Sequence, residues 1–330
     1  MRIGILPDPV LFERPGALRT QVLETVDALG RLGVETVMLD GARSPGAERC
    51  DLVHVFGAAR GNACLLDGLP RQAPVVLSPR VSPAWTSVNG TRARVADRVL
   101  GNRTCWDFDT GYAQIRRALG RAGLVVAASE GERRALQRAF LVPPERLCVI
   151  GNAVGARFFG ADPAPFRERW RIAGRFALMV GQVSPWHGQL DVAHALAGLA
   201  LPLVVIGPVH DRDAGYIQAL RALRTVVCVE PLAHGDPLLA SAYAAASVFV
   251  LPAHGAEMPM SALEALACGT PVVASWPLGH WLGTPGLREV PAGDPLALAH
   301  AVSDLLAHAP AREAVAAGVA GHTWDHAARQ

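Results

Sequence analysis

Glu264 and Ser261 open an apolar helical pattern inside the stretch from His254 to Ser275, just after a buried-looking strand, Val248 to Leu251. A carboxylate one turn into a helix accepts hydrogen bonds from hydroxyl groups. Unpaired backbone N–H groups and the helix dipole at the same end attract phosphate. Together they suit a ligand that carries both a sugar and a phosphate. Leu263, Leu266 and Ala267 share one helix face, Gly269 and Pro271 stop the helix, and Val272 to Ala274 start another strand. An ordinary β-α-β unit has the same local pattern, so the residues alone leave both readings open.

Other groups that could do chemistry lie well away in the chain. The loop Gly181-Gln182-Val183-Ser184-Pro185-Trp186-His187-Gly188 follows the apolar run Phe176 to Val180. Its glutamine donates hydrogen bonds without charge, and its histidine supplies a cation when protonated. A free histidine titrates near ~6.5, and a neighbouring diphosphate favours its charged form. His187 with Gly188 equally serves as a plain helix start. His54 and Arg80 fall near the carboxyl ends of two earlier strands. A guanidinium stays protonated below roughly pH 12, so Arg80 suits phosphate or an acidic sugar rather than proton exchange. His54 reads as a structural residue lining the same edge.

Composition removes several chemistries. All 31 Lys+Arg residues are arginine, which excludes a P-loop lysine, a Schiff base and a lysine general base. Cys50, Cys64, Cys105, Cys148, Cys228 and Cys268 show neither CxxC nor Cys/His spacing, so free thiols are expected and no metal site. Basic residues concentrate in the first 155 positions, without the aromatic interleaving of a nucleic-acid module. That excess reads as a solvated face or as a surface for peripheral contact with anionic membrane.

Two runs of alternating strand and helix patterns must position these groups. In the first, strands are expected at Arg2 to Leu6, Val34 to Leu39, Asp51 to Val55, Pro74 to Leu77, Leu124 to Ala127 and Leu147 to Ile150. Between the first two, Leu18, Val22, Val26, Leu29 and Leu32 recur at helical spacing. No GxGxxG follows the first strand, which disfavours a dinucleotide-binding dehydrogenase. The second run repeats the alternation from Phe176 onward. At 330 residues, 51% hydrophobic and 18% charged, the chain can bury two cores. The start MRIGILPDP lacks signal-peptide character and no apolar run reaches spanning length, so a cytoplasmic protein is expected, peripheral at the inner face of the membrane if the basic face docks there.

LEALACGTPVVAS closely resembles the donor-site signature of the family 4 retaining glycosyltransferases with the GT-B fold, in which two glutamates are separated by seven residues. Glu264 matches the second, which in the family holds the nucleotide ribose. Ala256 stands at the first, with Glu257 one place late; the family's first glutamate touches the donor sugar. GQVSPWHGQLDVAHAL is similar to the family's diphosphate clamp, with Gln182 and His187 in place of its arginine and lysine. Arg80 falls where the family usually has a histidine in contact with the sugar, and Gly16 is what remains of a glycine pair near the acceptor and the donor phosphates. CVIGNAVGARFF resembles the segment that closes the first domain, and VPAGDPLALAHAVSDLL resembles a late helix pattern.

The resemblance implies an α/β fold of GT-B type, two Rossmann-like domains facing each other across a cleft. It implies an acceptor domain over 1–158, a linker over 159–174, a nucleotide-sugar domain over 175–315 and a segment over 316–330 crossing back to the first domain. The implied activity is a hexosyltransferase-type transfer, with retention and without a metal, from a nucleotide-diphosphate sugar to a glycan or lipid-linked acceptor in cell-surface polysaccharide or glycoconjugate synthesis. The nucleotide sugar is a co-substrate and no cofactor is permanently bound. Implied donor contacts are Gly181, Gln182, His187, Glu257, Met258, Pro259, Met260, Ser261 and Glu264, with Glu257, Arg80 and His187 at the reacting groups and Gly16, His54 and Arg80 on the acceptor side. Four departures converge on one site (Ala256, Gln182, His187 and Arg80), which leaves a second reading, a binding or scaffold protein of this fold without transfer activity. A nucleotide-sugar epimerase of related fold is a third, and the spacing fits it less well.

Overall fold

Runs of four or five apolar, largely β-branched residues, such as LVHVF, VVLS, LVVA and LVVI, carry no polar alternation and suit strands covered on both faces by helices. They become parallel strands in two separate sheets. The computed structural model describes residues 1–8, 12, 16–39, 49–58, 62, 65–66, 68–70, 73–101, 110–252, 259–275 and 283–330. These form two units, Met1–Asn152 with Trp324–Gln330, and Ala153–Thr323. Each has its own parallel sheet and helices, the two Rossmann-like α/β units expected from the sequence.

In the first unit the strands are β1 (Arg2–Pro7), β2 (Glu35–Met38), β3 (Leu52–Phe56), β4 (Val75–Ser78), β5 (Leu124–Ala127) and β6 (Leu147–Val149), in the order β2-β1-β3-β4-β5-β6. The helix Ala17–Arg31 buries Leu18, Val22 and Leu29, and Gly33 ends the turn beyond it at φ 77°. Ser129 caps the Glu130–Phe140 helix by accepting from Glu132 N. The buried Glu132 carboxylate turns back to Ala128 N at 2.7 Å and Val81 N at 2.5 Å, which fastens the exit of β4 to this helix. At the far end of the chain the Trp324–Arg329 helix packs on Ala17–Arg31, with Arg31 bonded to Asp325 at 2.6 Å.

The second unit contains β7 (Ala177–Val180), β8 (Leu203–Ile206), β9 (Val226–Val229), β10 (Val248–Leu251), β11 (Val272–Ala274) and β12 (Leu287–Glu289), in the order β12-β11-β10-β7-β8-β9. β7 and β10 are therefore neighbours from which the chain winds in opposite directions. That is the topological switch point at which open α/β sheets leave a crevice beyond their strands. Phe158, Phe166, Phe176, Tyr243 and Phe249 fill the core on one side of the sheet. Phe166 belongs to residues 159–174, expected as a linker, and is 0% exposed there, its N–H donating to Ser241 Oγ at 3.0 Å. The stretch packs as part of the second unit because the Ala164–Trp170 helix carries two aromatics, Phe166 and Trp170, onto its core.

Candidate functional site

The β7 exit is set by a close backbone approach. A Cβ on Gly207, just past β8, would stand 1.8 Å from Gly181 O, so only glycine lets the two strand ends meet. Beyond it the side chain of Gln189, buried, donates to Gln182 O at 2.9 Å and accepts from Ser184 N at 3.4 Å. The loop is thus closed on itself. Ser184 Oγ lies 2.9 Å from His187 Nδ1 and orients the imidazole. Gly188, at φ 64°, then turns the chain into the Gln189–Leu196 helix.

The β10 exit lies beside this loop, since Pro252 Cγ is 3.6 Å from where a Gly188 Cβ would be. Residues 253–258 are outside the described set, and the expectations for Ala256, Glu257 and Met258 fall on them. The helix resumes at Met260–Ala267 with Pro259 as its N-cap residue, which offers no side-chain cap to the first N–H groups. Ser261 is partly buried in its first turn. Gly181, Gln182, His187, Pro259, Met260, Ser261 and Glu264 therefore all belong to the two adjoining exits at the switch point.

Glu264 is only 5% exposed. Its Oε1 stands 2.7 Å from His234 Nε2. His234 Nδ1 in turn is 2.6 Å from the Arg157 guanidinium. Arginine has only donors, so Nδ1 accepts and the proton sits on Nε2, directed at the carboxylate. Phe158, fully buried, underlies both groups, with the Arg157 carbon 5.0 Å from its ring centre and the imidazole 5.8 Å away. Beneath the carboxylate lie the Tyr243 phenol and the Cys268 thiol. Burial pushes both of their pKa values up, and the negative charge of Glu264 pushes them further. Neither gives up its proton to compete with Glu264.

His234 and Arg157 were not singled out from sequence. Their signals were slight, a histidine before a glycine in the loop after β9 and an arginine beside the aromatic pair of GARFF.

In the first unit Arg80 directly follows the β4 exit in the left-handed region, φ 57°, and donates from NH1 to Gln21 Oε1 at 3.0 Å. Gly16 precedes the Ala17–Arg31 helix and is exposed. His54, read from sequence as a structural residue near a strand end, lies inside β3, paired with Ile5 and Val76. Its ring stacks on Phe56 at 4.1 Å and its Nε2 meets Ser78 Oγ at 2.9 Å. Burial lowers its pKa to about 4, so it is a neutral packing residue near neutral pH. Among the described residues no cluster of three His, Cys, Asp or Glu side chains could hold a metal ion, and Cys50, Cys148, Cys228 and Cys268 are free thiols.

Residues 174–308 match the family described as Glycosyl transferases group 1. A D-inositol 3-phosphate glycosyltransferase of Frankia alni is 30% identical over 230 residues, 62% of this chain and 56% of that protein. The chain spans about half the length of the curated relatives it matches. Among solved structures, sucrose-phosphate synthase of Thermosynechococcus elongatus superposes with a TM-score of 0.75 at 17% identity, covering 100% of this chain and 97% of that one. HepE of Anabaena, solved in complex with UDP-glucose, gives 0.68 at 17% identity, covering 100% and 98%. These likenesses give the fold, that of the GT-B glycosyltransferases.

Proposed function

We propose that the chain is a glycosyltransferase that moves a sugar, with retention, from a nucleotide-diphosphate donor to a glycan, lipid-linked or phosphorylated polyol acceptor in surface-polysaccharide or glycoconjugate synthesis. The observation that carries this reading is Glu264, a buried carboxylate in the helix that leaves the switch point beside the Gly181–Gly188 loop. A buried carboxylate is costly unless donors satisfy it. The buried Glu132 of the first unit is satisfied by backbone N–H groups, whereas Glu264 is satisfied by an imidazole and keeps acceptor capacity for hydroxyls. In this reading Glu264 accepts from the nucleotide ribose and Glu257 contacts the donor sugar. The backbone from Met258 to Ser261, with Gly181, Gln182 and His187, holds the diphosphate. Arg80 and Gly16 lie toward the acceptor, and the basic first unit meets anionic membrane.

Chemically, the helix N–H groups and a protonated His187 offset the charge that builds on the departing nucleotide. No protein nucleophile and no metal are invoked, since the leaving phosphate itself assists attack on the same face. A second reading is supported by the β7 exit loop. From Gly181 to Gln189 it contains no arginine, so the loop itself offers a diphosphate no permanent cation. Such a site binds a nucleotide sugar without transferring it.

Thermal unfolding with UDP, ADP, GDP and their sugars tests binding, and label transfer to inositol 3-phosphate and to lipid-linked glycans tests turnover. Ligand at 100 times its dissociation constant stabilises by about 2.7 kcal/mol. A shift with transfer supports the enzyme, a shift without transfer supports the binding protein, and no shift with any nucleotide overturns the donor-site reading.

A further inference from the structure

The side chains around Glu264 form a chain of donors whose central member, His234, lies outside every sequence pattern quoted above. Arg157 comes from the short turn Ala156–Phe158, His234 from the loop after β9, and Glu264 from the Met260–Ala267 helix. All three belong to the second unit. His234 stands two residues before Asp236, whose carboxylate caps the next helix by accepting from Leu238 N at 2.9 Å. Phe158 fixes the other end as a fully buried anchor for Arg157.

We infer that His234 is the positioning residue of this site. Backed by Arg157, it donates Nε2–H to Glu264 Oε1 and holds the carboxylate oriented to read a ribose diol. The inference rests on the donor-site reading of Glu264. Its physical basis is the direction of the relay. Arg157 can only donate, so His234 cannot turn its proton inward, and the hydrogen bond it gives Glu264 is polarised by the guanidinium behind it. One carboxylate oxygen fixed by that donor sets the plane of the group, so that its remaining lone pairs face two hydroxyls. The neutral Tyr243 hydroxyl also faces Glu264 as a donor, but it does so from the buried core, where its packing on Phe158 and Phe249 fixes it. His234 is the donor on the partly exposed side. Selectivity for a ribonucleotide over its 2′-deoxy form thus depends on a residue that need not touch the ribose.

Calorimetric binding of UDP, ADP and GDP, each against its 2′-deoxy counterpart, reads this selectivity directly. The unaltered chain should prefer the ribo form of whichever diphosphate binds by roughly 10-fold or more, the loss expected for a hydrogen bond to a charged group. His234→Ala should bring the ratio near 1 while leaving binding of the deoxy form within about 3-fold. His234→Gln, whose amide can donate in place of Nε2, should restore most of the ratio, and Arg157→Gln should reduce it only partly. Unfolding curves measured alongside separate a folding defect from a lost preference, and His234→Gln with Arg157→Gln carries the test if the alanine variant does not fold. An unchanged ratio in His234→Ala, or equal weakening of both forms, overturns the positioning role and leaves the donor site intact. Failure of the unaltered chain to bind any of the three diphosphates overturns both.

Discussion

Both sheets contain six parallel strands, yet they are wound differently and treat charge differently at their exits. The first runs β2-β1-β3-β4-β5-β6 and reverses between β1 and β3; the second runs β12-β11-β10-β7-β8-β9 and reverses between β7 and β10. In the first unit the ionisable groups read as site residues are either neutralised or left outside. His54 is a stacked neutral ring inside β3, and Arg80 reaches across the exposed edge to Gln21. In the second unit a carboxylate is buried and supplied with donors from two other segments. The first edge also buries a carboxylate, Glu132, but both of its oxygens are taken by backbone N–H groups, of Val81 and Ala128. Glu264 is held by a side chain instead, which leaves it acceptor capacity that a ligand with hydroxyl groups would use.

The largest expected effect breaks the second exit mechanically. Gly207→Ala puts a methyl against a backbone oxygen that cannot move without parting β7 from β8, so stability should fall by about 3 kcal/mol or more in urea unfolding. The contrasting change in the first unit is Gly120→Ala, in the Gly111–Arg121 helix with nothing within 4 Å of the added carbon. It should stabilise by about 0.5 kcal/mol through lost freedom of the unfolded chain. Equal effects of the two changes would mean that the β7 and β8 ends do not touch.

Glu264→Ala is expected next. It removes the acceptor while leaving the helix, and nucleoside diphosphate affinity should fall by about 10–100-fold, or 1.5–3 kcal/mol. Calorimetry on the variant checks this, and unchanged affinity would return the helix to an ordinary β-α-β role.

How far these groups could be read in advance depended on how local their signal was. The helix bearing Glu264 and the loop from Gly181 to Gly188 are contiguous patterns, and each follows the strand expected before it. His234 and Arg157 sit 30 and 77 residues from the groups they bond, counted Glu264 to His234 and His234 to Arg157, and no local pattern links them. His54 was legible as a structural residue near the end of its strand, but its partner was not: Ser78, which satisfies its nitrogen, lies 24 residues away on β4. The stretch 159–174 spaces its apolar residues irregularly among prolines and charges, which concealed that Phe166, Trp170 and Ile172 pack on the second core.

His54 sharpens the comparison through pH. Its pKa is lowered from 6.5 to about 4 in the folded chain, so between these values the unfolded chain binds more protons. The stabilisation is present above pH 6.5 and is lost as pH falls toward 4. The loss should reach about 2 kcal/mol, and His54→Gln should flatten it in unfolding curves taken at pH 7 and 4.5. A slope that survives the substitution would assign the acid sensitivity to other groups.

The smallest expected effect concerns the second exit. Gln182→Arg with His187→Lys supplies permanent charge where the loop now offers an amide and an imidazole oriented by Ser184. Each added cation facing a diphosphate in partly solvated surroundings should contribute about 0.5–1 kcal/mol, so the pair should tighten UDP, ADP or GDP by roughly 10-fold at low salt and less at high salt. Inorganic phosphate and the free nucleoside serve as references. Tightening confined to the diphosphate would set His187 and Gln182 at the phosphates, whereas no change would set the phosphates against the Met260 helix start alone. Transfer that rises along with binding would assign the weak cationic pair to retuned catalysis, and binding that rises without transfer would favour a site kept for recognition.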